Sequence, residues 1–580
     1  MNFRPSLPRP HRPEIVGTRH VAAAGHYLAC QAAFQILEAG GNAVDAGVAG
    51  GLALGVVESE MVGVAGVAPI LIYLAERDEI LTISGVGTWP RAASCELFQQ
   101  DHGGAIPRGI LRTVVPAAPD AWITALERFG SMSFGDVAAA AIELARDGFP
   151  MYPLMAEVIA EEAESLLGWP SSAAIFLPGG RPPEVGKLFV QSDLGRTLQF
   201  LADEEAAQRP RGRSAGLQAA RDAFYRGDIA AEIVRFQKQN GGLLTAEDLA
   251  AFHVDVEPPV RTAFGAIDVY GCGPWCQGPM LLQALNLLEG IDLPSLGHNT
   301  TAYVHTVTEA IKLAAADREA CYGDPRFVDV PLATLLSRAY ADCRRKLIRA
   351  DRAWPEMPPA GVCEGGQRRP ARPGQAVEGD TLDTSYICVV DSDGNAFSAT
   401  PSDGAMGAPV VPGTGLVPSP RGSQSWTDPS HPSCIAPGKR PRLTPNPALA
   451  IRDGRVLMPF GSPGGDGQTQ SMLQVFLNIF VFEMEPQAAV EAPRFVTHSF
   501  PSSFEPHAYL PGSLGLEANF AADTCEALAA LGHEVELLPD WRFGVHTPDI
   551  GAVCAIVADR DSGLIHGAAD PRRPAYALGW

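Results

Sequence analysis

The sequence predicts an α+β protein. Helical periodicity recurs between residues 26 and 322, a β-branched and aromatic stretch at 384–390 returns as a hairpin over 396–400, and a second alternating pair follows at 448–458. The chain has 580 residues, and 44 Lys+Arg against 66 Asp+Glu give a formal charge of −22. That balance excludes a nucleic-acid or anionic-membrane partner, since both need a basic surface. With 46% hydrophobic and 19% charged residues, 60 Gly and 50 Pro, the chain reads as folded, loop-rich and soluble rather than disordered. The length suits about three to five domains, or fewer if distant segments share one sheet system.

Ala, Leu and Phe recur at helical spacing over 26–37, and Gly40-Gly41 stops that helix. Residues 42–57 predict a second helix, so rich in small residues that it must pack closely on all sides. Residues 61–73 predict a buried strand pair around Gly63 and Gly66. Helices are expected over 117–129, 134–147, 155–167 and 198–238, a short strand at 266–270, and helices at 279–289 and 301–322. Residues 353–378 change to Pro, Gly, Arg and Gln, which predicts an exposed, mobile segment. It leads into the hairpin, whose turn is Asp391-Ser392-Asp393-Gly394-Asn395. Residues 401–446 read as loop, 448–458 as strands around Asp453-Gly454, and 469–482 as a helix after Gly461-Ser462-Pro463-Gly464-Gly465.

The first 17 residues hold four prolines and no apolar run of signal-peptide length. The longest apolar stretches, 46–57 and 61–75, are too short for a membrane helix and rich in Gly. Eleven scattered cysteines do not form a dense disulfide framework, so a reduced, cytoplasmic protein is expected. Cys272 and Cys276 lack a second pair at metal spacing, and the 13 histidines form no H-x-x-x-H or H-E-x-x-H. The turn at 461–467 lacks the Lys-Ser/Thr of a phosphate loop.

A mobile segment running into a core strand that begins with a hydroxyl residue is what a self-cleaving proenzyme requires. If the bond before Thr384 breaks, that residue offers a hydroxyl nucleophile and an α-amine of pKa about 7.7–8.0 as its base. The plain alternative is that Asp383-Thr384 caps a strand.

The stretch from Asp383 to Thr400 resembles the start of the small subunit of the γ-glutamyltranspeptidase family. Further blocks resemble that family in order: Gly40-Gly41-Asn42-Ala43-Val44-Asp45-Ala46, Gly242-Leu243-Leu244-Thr245-Ala246-Glu247-Asp248-Leu249, and Lys312 to Arg318 with Gly323-Asp324-Pro325. Gly438-Lys439-Arg440-Pro441, Gly461 to Gly465, Glu491-Ala492-Pro493-Arg494-Phe495 and Ala569-Asp570-Pro571-Arg572 complete the series.

The resemblance implies a four-layer αββα sandwich of the N-terminal-nucleophile hydrolase type. It also implies cleavage between Asp383 and Thr384, giving a mostly helical large chain 1–383 and a catalytic small chain 384–580 that together form one interleaved fold. Thr384 would attack an amide carbonyl and pass the acyl group to water or an amine. Gly464 and Gly465 would supply the oxyanion hole, for which two residues without Cβ can aim successive amides into one concavity. Ser402 takes the family position whose hydroxyl holds the nucleophile's amine. Thr400, two residues earlier, shares its face if the strand continues. The resemblance implies no cofactor and no metal. The partners it implies are a small-molecule amide or acyl substrate and the two chains of one precursor, with oligomerisation left open.

The pattern breaks around the substrate. Val86 stands about where the family has its carboxylate-reading arginine, with Trp89 close by and Arg91 just past Pro90. The substrate-binding asparagine falls on Gly404, the paired serines become Leu443 and Thr444, and only Gln424 survives among the ammonium ligands. Losing a bidentate arginine contact forfeits roughly 1.5–3 kcal/mol. An acyl donor other than glutathione is therefore expected. Divergent relatives include an oxamate amidohydrolase, β-lactam side-chain acylases and homologues that cleave C–C bonds in biosynthetic pathways. An unprocessed, silent member acting as a binding or assembly protein is the alternative of another class.

Overall fold

The computed structural model describes residue 3 and residues 9–361, 384–454, 456–543 and 550–580; Asp383 and most of the 353–378 segment lie outside them. Two antiparallel sheets face one another, each of seven strands among the described residues. One runs Tyr576–Gly579, Val21–Ala24, Ile387–Val390, Ala396–Ala399, Ile70–Leu74, Glu79–Ile83, Val256–Glu257. The other runs Ile15–Gly17, Leu564–Ala569, Cys554–Asp559, Val456–Gly461, Ala448–Arg452, Ile267–Gly271, Val260–Phe264.

Period-two alternation assigns the faces. Val21, Ala23, Tyr386, Cys388 and Val390 meet Leu449, Leu457, Cys554 and Ile556 between the sheets. Their neighbours Ala22, Ala24, Ile387, Val389 and Phe397 turn outward onto the helices Tyr27–Glu38 and Ala43–Val57. On the opposite side Ala448, Ala450, Met458, Ala555 and Val557 pack under Gly278–Glu289, Thr301–Cys321 and Gly467–Phe480. Four layers result, α on β on β on α, as the α+β expectation holds.

The small residues of Ala43–Val57 have a steric purpose. A Cβ on Gly47 would lie 2.1 Å from the Phe397 ring, and one on Gly50 would lie 2.1 Å from Ile387. The helix therefore sits directly on the hairpin strands. Asn42 caps it in a reciprocal box with Asp45, and Ala43 N–H reaches the Asp391 carboxylate at 2.8 Å, tying the helix start to the hairpin turn.

Several expected elements differ. The two strands of 61–73 do not pair with each other: Val62–Val67 joins Ser402–Asp403, while Ile70–Leu74 joins Ala396–Ala399. The regular strand at 384–390 is confined to Ile387–Val390, and residues 198–238 break into three helices at Gly212 and Gly227. The described part of the 353–378 segment is anchored, not loose. Trp354 N–H donates to Glu309, Lys312 donates to the Trp354 carbonyl, and Gly361 N–H donates to Asp317. Nine described cysteines are free thiols, while Cys321 is held in a disulfide, a pairing that spacing alone could not reveal.

The motif blocks meet as buried ion pairs. Arg440 clasps Asp324, Arg318 clasps Asp466, and Arg494 clasps Asp570. No described helix is long and apolar enough to cross a membrane.

Candidate active site

Thr384 enters the sheet with its peptide nitrogen donating to the Met61 carbonyl at 2.8 Å and its own carbonyl accepting from Arg573 at 3.0 Å. Between these anchors its φ is +109°. A β-branched residue there is strained by roughly 1–3 kcal/mol, and the strain sits at the bond expected to break. The side chain is fully buried, and Oγ1 lies 2.8 Å from Ser402 Oγ.

Ser402 is held from two sides. Its strand runs so close to Val62–Val67 that a Cβ on Gly66 would lie 2.3 Å from the Ser402 carbonyl, and one on Gly63 would lie 2.5 Å from the Asp403 carbonyl. Close backbone approach explains these two glycines. From the other side Arg421 Nη2 donates to Ser402 Oγ at 2.6 Å, while its Nε donates to Asp403 at 2.6 Å. Ser419 also donates to Asp403.

The Gly464-Gly465 turn has φ of +109° and +51°, which glycine adopts without a Cβ penalty. It is pinned by Gln277, whose amide donates to the carbonyls of Gly465 and Thr444 at 3.0 and 2.9 Å. Three residues on, Gln468 completes the link to Thr384. Its amide nitrogen faces the Thr444 and Ser462 carbonyls at 3.1 and 3.3 Å, which turns its oxygen toward Thr384 Oγ1, 3.4 Å away.

Two buried acids lie beneath the nucleophile. Burial raises Glu58 to about 7, against a hydrogen bond from Ser385 and the charge of Arg573, and raises Glu60 to about 8 with the help of Glu58. Tyr152 donates to Glu60. Glu60 is therefore the one that favours its proton at neutral pH, while Glu58 titrates around it.

The structure brings Thr384, Ser402, Gly464, Gly465, Gln424 and Thr444 into one network. Gln424 and Thr444 bond reciprocally at 2.8 and 3.1 Å. Other expectations need correction. In the intact chain Ser402 bonds the Thr384 hydroxyl while the Thr384 peptide nitrogen donates to Met61; the expected hold of Ser402 on the nucleophile's amine concerns the cleaved chain, where that amine is free. The strand ends at Ala399, and Thr400 Oγ1 is buried without a hydrogen-bond partner among the described residues. Val86 and Leu443 do not form an open pocket: they are sealed in a cluster with Val67, Cys272, Trp275 and Cys276. Trp89 lies under the 421–425 turn, donating to Ser425 Oγ at 2.9 Å. Arg91 is exposed, with its backbone on Asp248. Gly404 has no room for a side chain, since a Cβ would lie 1.9 Å from the Glu60 carbonyl. The cleavage-site residue Asp383 lies outside the described residues.

Sequence reasoning missed Arg421, Gln468, Asp403, Glu58, Glu60 and Arg573. Arg421 lies in the loop expected to carry only ammonium ligands, and Arg573 directly follows the last motif block.

The gamma-glutamyltranspeptidase family model matches residues 29–580. The chain belongs to the γ-glutamyltranspeptidase family. It is 34% identical over 570 residues to the Acylase ACY 1 proenzyme of Pseudomonas sp. (strain SE83), covering 95% of this chain and 92% of that one. It is 31% identical over 579 residues to the oxamate amidohydrolase proenzyme of Klebsiella pneumoniae, covering 97% and 99%. The crystal structure of cephalosporin acylase from Bacillus halodurans superposes with a TM-score of 0.84 at 27% identity, covering 100% of this chain and 99% of that one. The protein is an enzyme of the N-terminal-nucleophile hydrolase class, as these γ-glutamyltranspeptidase-family relatives require.

Proposed function

We propose that the chain is a proenzyme that cleaves itself between Asp383 and Thr384 and then uses Thr384 as the nucleophile of an amidohydrolase or acyltransferase acting on a donor other than glutathione. The observation that carries the reading is the Thr384 hydroxyl, 2.8 Å from Ser402 Oγ at the head of a central strand and linked through Gln468 to the Gly464-Gly465 turn. In self-cleavage Oγ1 would attack the carbonyl carbon of residue 383, the C–N bond would break, and the hydroxyl hydrogen would end on the nitrogen. Water would then release the ester. In turnover the freed amine would take the hydroxyl proton as Oγ1 attacks an acyl carbonyl, with the Gly464 and Gly465 amides facing the oxyanion.

The substrate reading rests on the arginine that is missing at position 86. Where the family places its carboxylate-reading arginine, this chain has an apolar cluster, and a γ-glutamyl head would find no guanidinium there. An acyl group without a free amino-acid head suits this site better, in line with the acylase and amidohydrolase names of the relatives.

Denaturing electrophoresis and intact mass test the first step. Bands near about 40 and 21 kDa are expected, in proportion to residues 1–383 and 384–580 of the 61.3 kDa chain. A single band that Thr384→Ala leaves unchanged would sink the reading. A panel of acyl amides beside a γ-glutamyl anilide tests the second: turnover of the anilide comparable with the best amide would remove the substrate argument.

A further inference from the structure

We propose that Arg421 and Gln468 are positioning residues that impose one direction on the hydrogen bonds running through Ser402 and the nucleophile, a role that rests on the Thr384 reading above. The argument follows from which groups can only donate and which can only accept. A guanidinium has no acceptor, so in the 2.6 Å contact Arg421 Nη2 donates and Ser402 Oγ accepts. The Ser402 hydrogen is thereby directed to its other neighbour, Thr384 Oγ1, at 2.8 Å. On the far side, the carbonyls of Thr444 and Ser462 claim the Gln468 amide nitrogen, which leaves the amide oxygen facing Thr384 Oγ1. That oxygen can only accept. The hydrogens therefore run one way, from Arg421 to Ser402 to Thr384 to Gln468 and on to the two carbonyls.

The direction survives the ion pair that Arg421 makes with Asp403, since neutralising the cation does not turn a donor into an acceptor. Its chemical consequence is definite. Oγ1 receives an O–H from Ser402 before it attacks, so charge developing on that oxygen meets a donor already in place. The hydrogen on Oγ1 is turned away from Ser402. Gln468 cannot take a proton, so it steers this hydrogen without removing it, and the base remains the α-amine. In the step itself the Oγ1–C bond forms, the Oγ1 hydrogen passes to nitrogen, and the hydrogens of Ser402 and Arg421 stay where they were.

The test uses the full-length chain carrying Arg421→Ala, Gln468→Met or Thr384→Ala, each checked for folding by thermal unfolding. The time course of self-cleavage is read by intact mass, and kcat, KM and the pH profile on an accepted acyl amide are read after maturation. Arg421→Ala is expected to slow both reactions roughly ten- to a hundredfold with little change in KM, and added guanidinium is expected to restore part of the loss. Gln468→Met is expected to lower kcat by a similar factor and to shift the acidic limb of the pH profile, because the nucleophile's hydrogen is no longer steered. Should Arg421→Ala fail to fold, Gln468→Met decides alone. Variants that mature and turn over within about twofold of the parent overturn the proposal, as does a loss that guanidinium leaves untouched with an unmoved pH profile, which is what a purely structural role predicts. A parent chain whose activity Thr384→Ala does not alter overturns the nucleophile reading itself and the relay with it.

Discussion

Replacing Asp403 with Asn removes the charge that faces Arg421 while keeping the side chain's shape. The two side chains are 0% and 1% exposed, and Arg421 Nε sits 2.6 Å from Asp403 Oδ1. Stripping one charge from such a pair takes the facing counter-charge from a buried cation, at a cost of about 3–5 kcal/mol. The Ser419 bond can survive, because a hydroxyl can accept from the new amide, so nearly all of the loss should come from the charge. Replacing the pair together, Asp403→Leu with Arg421→Met, should return part of the stability, since no charge is left unpaired although Ser419 and Ser402 each lose a partner. Urea unfolding in the Thr384→Ala background, which keeps the chain in one piece, measures both. A loss below about 1 kcal/mol in Asp403→Asn would refute the reasoning, as would a double variant no more stable than the single one.

Gly66→Ala places a Cβ 2.3 Å from the Ser402 carbonyl, so it should cost about 1–3 kcal/mol and slow self-cleavage, read by chemical unfolding and an intact-mass time course. Val86→Arg puts an unpaired cation among Val67, Trp275 and Leu443; soluble yield and Tm should fall, and no turnover of a γ-glutamyl anilide should appear. Glu60 is raised from 4.5 to about 8, so the fold holds a proton that the unfolded chain has released. Stability should therefore be fullest below pH 4.5 and decline as pH rises toward 8, at about 1.4 kcal/mol per pH unit for each proton retained. Glu60→Gln should flatten that slope in a series of Tm against pH, and an unchanged slope would discount the buried acid. Asn42→Ala removes the helix cap and its bond to the Phe129 carbonyl and should cost about 1 kcal/mol in thermal unfolding.

Local signals located much of the molecule. The Asp391 to Asn395 turn, the small residues of 43–57 and the alternation of 387–390 each report a single element's surroundings, and the four-layer class followed from the motif blocks. The same blocks pointed to Thr384, Ser402, Gly464 and Gly465. Pairings were less legible: 62–67 and 70–74 read as partners because they are neighbours in sequence, yet each pairs with a different part of the hairpin region. Val86 and Leu443 read as pocket residues because their positions matched a pocket in the family, whereas packing buries them against Trp275.

The sequence by itself determined the mixed class, the hairpin, the motif order and a hydroxyl residue at the head of a strand, because these depend on spacing and backbone chemistry within short windows. Only the tertiary structure decided which polar groups surround that hydroxyl. Arg573 lies 189 residues from Thr384, Gln468 lies 84 and Ser402 lies 18. Whether such side chains meet, which of them donates, and how far burial moves a carboxyl's proton are properties of a packed, water-excluding interior, and no window of sequence contains it.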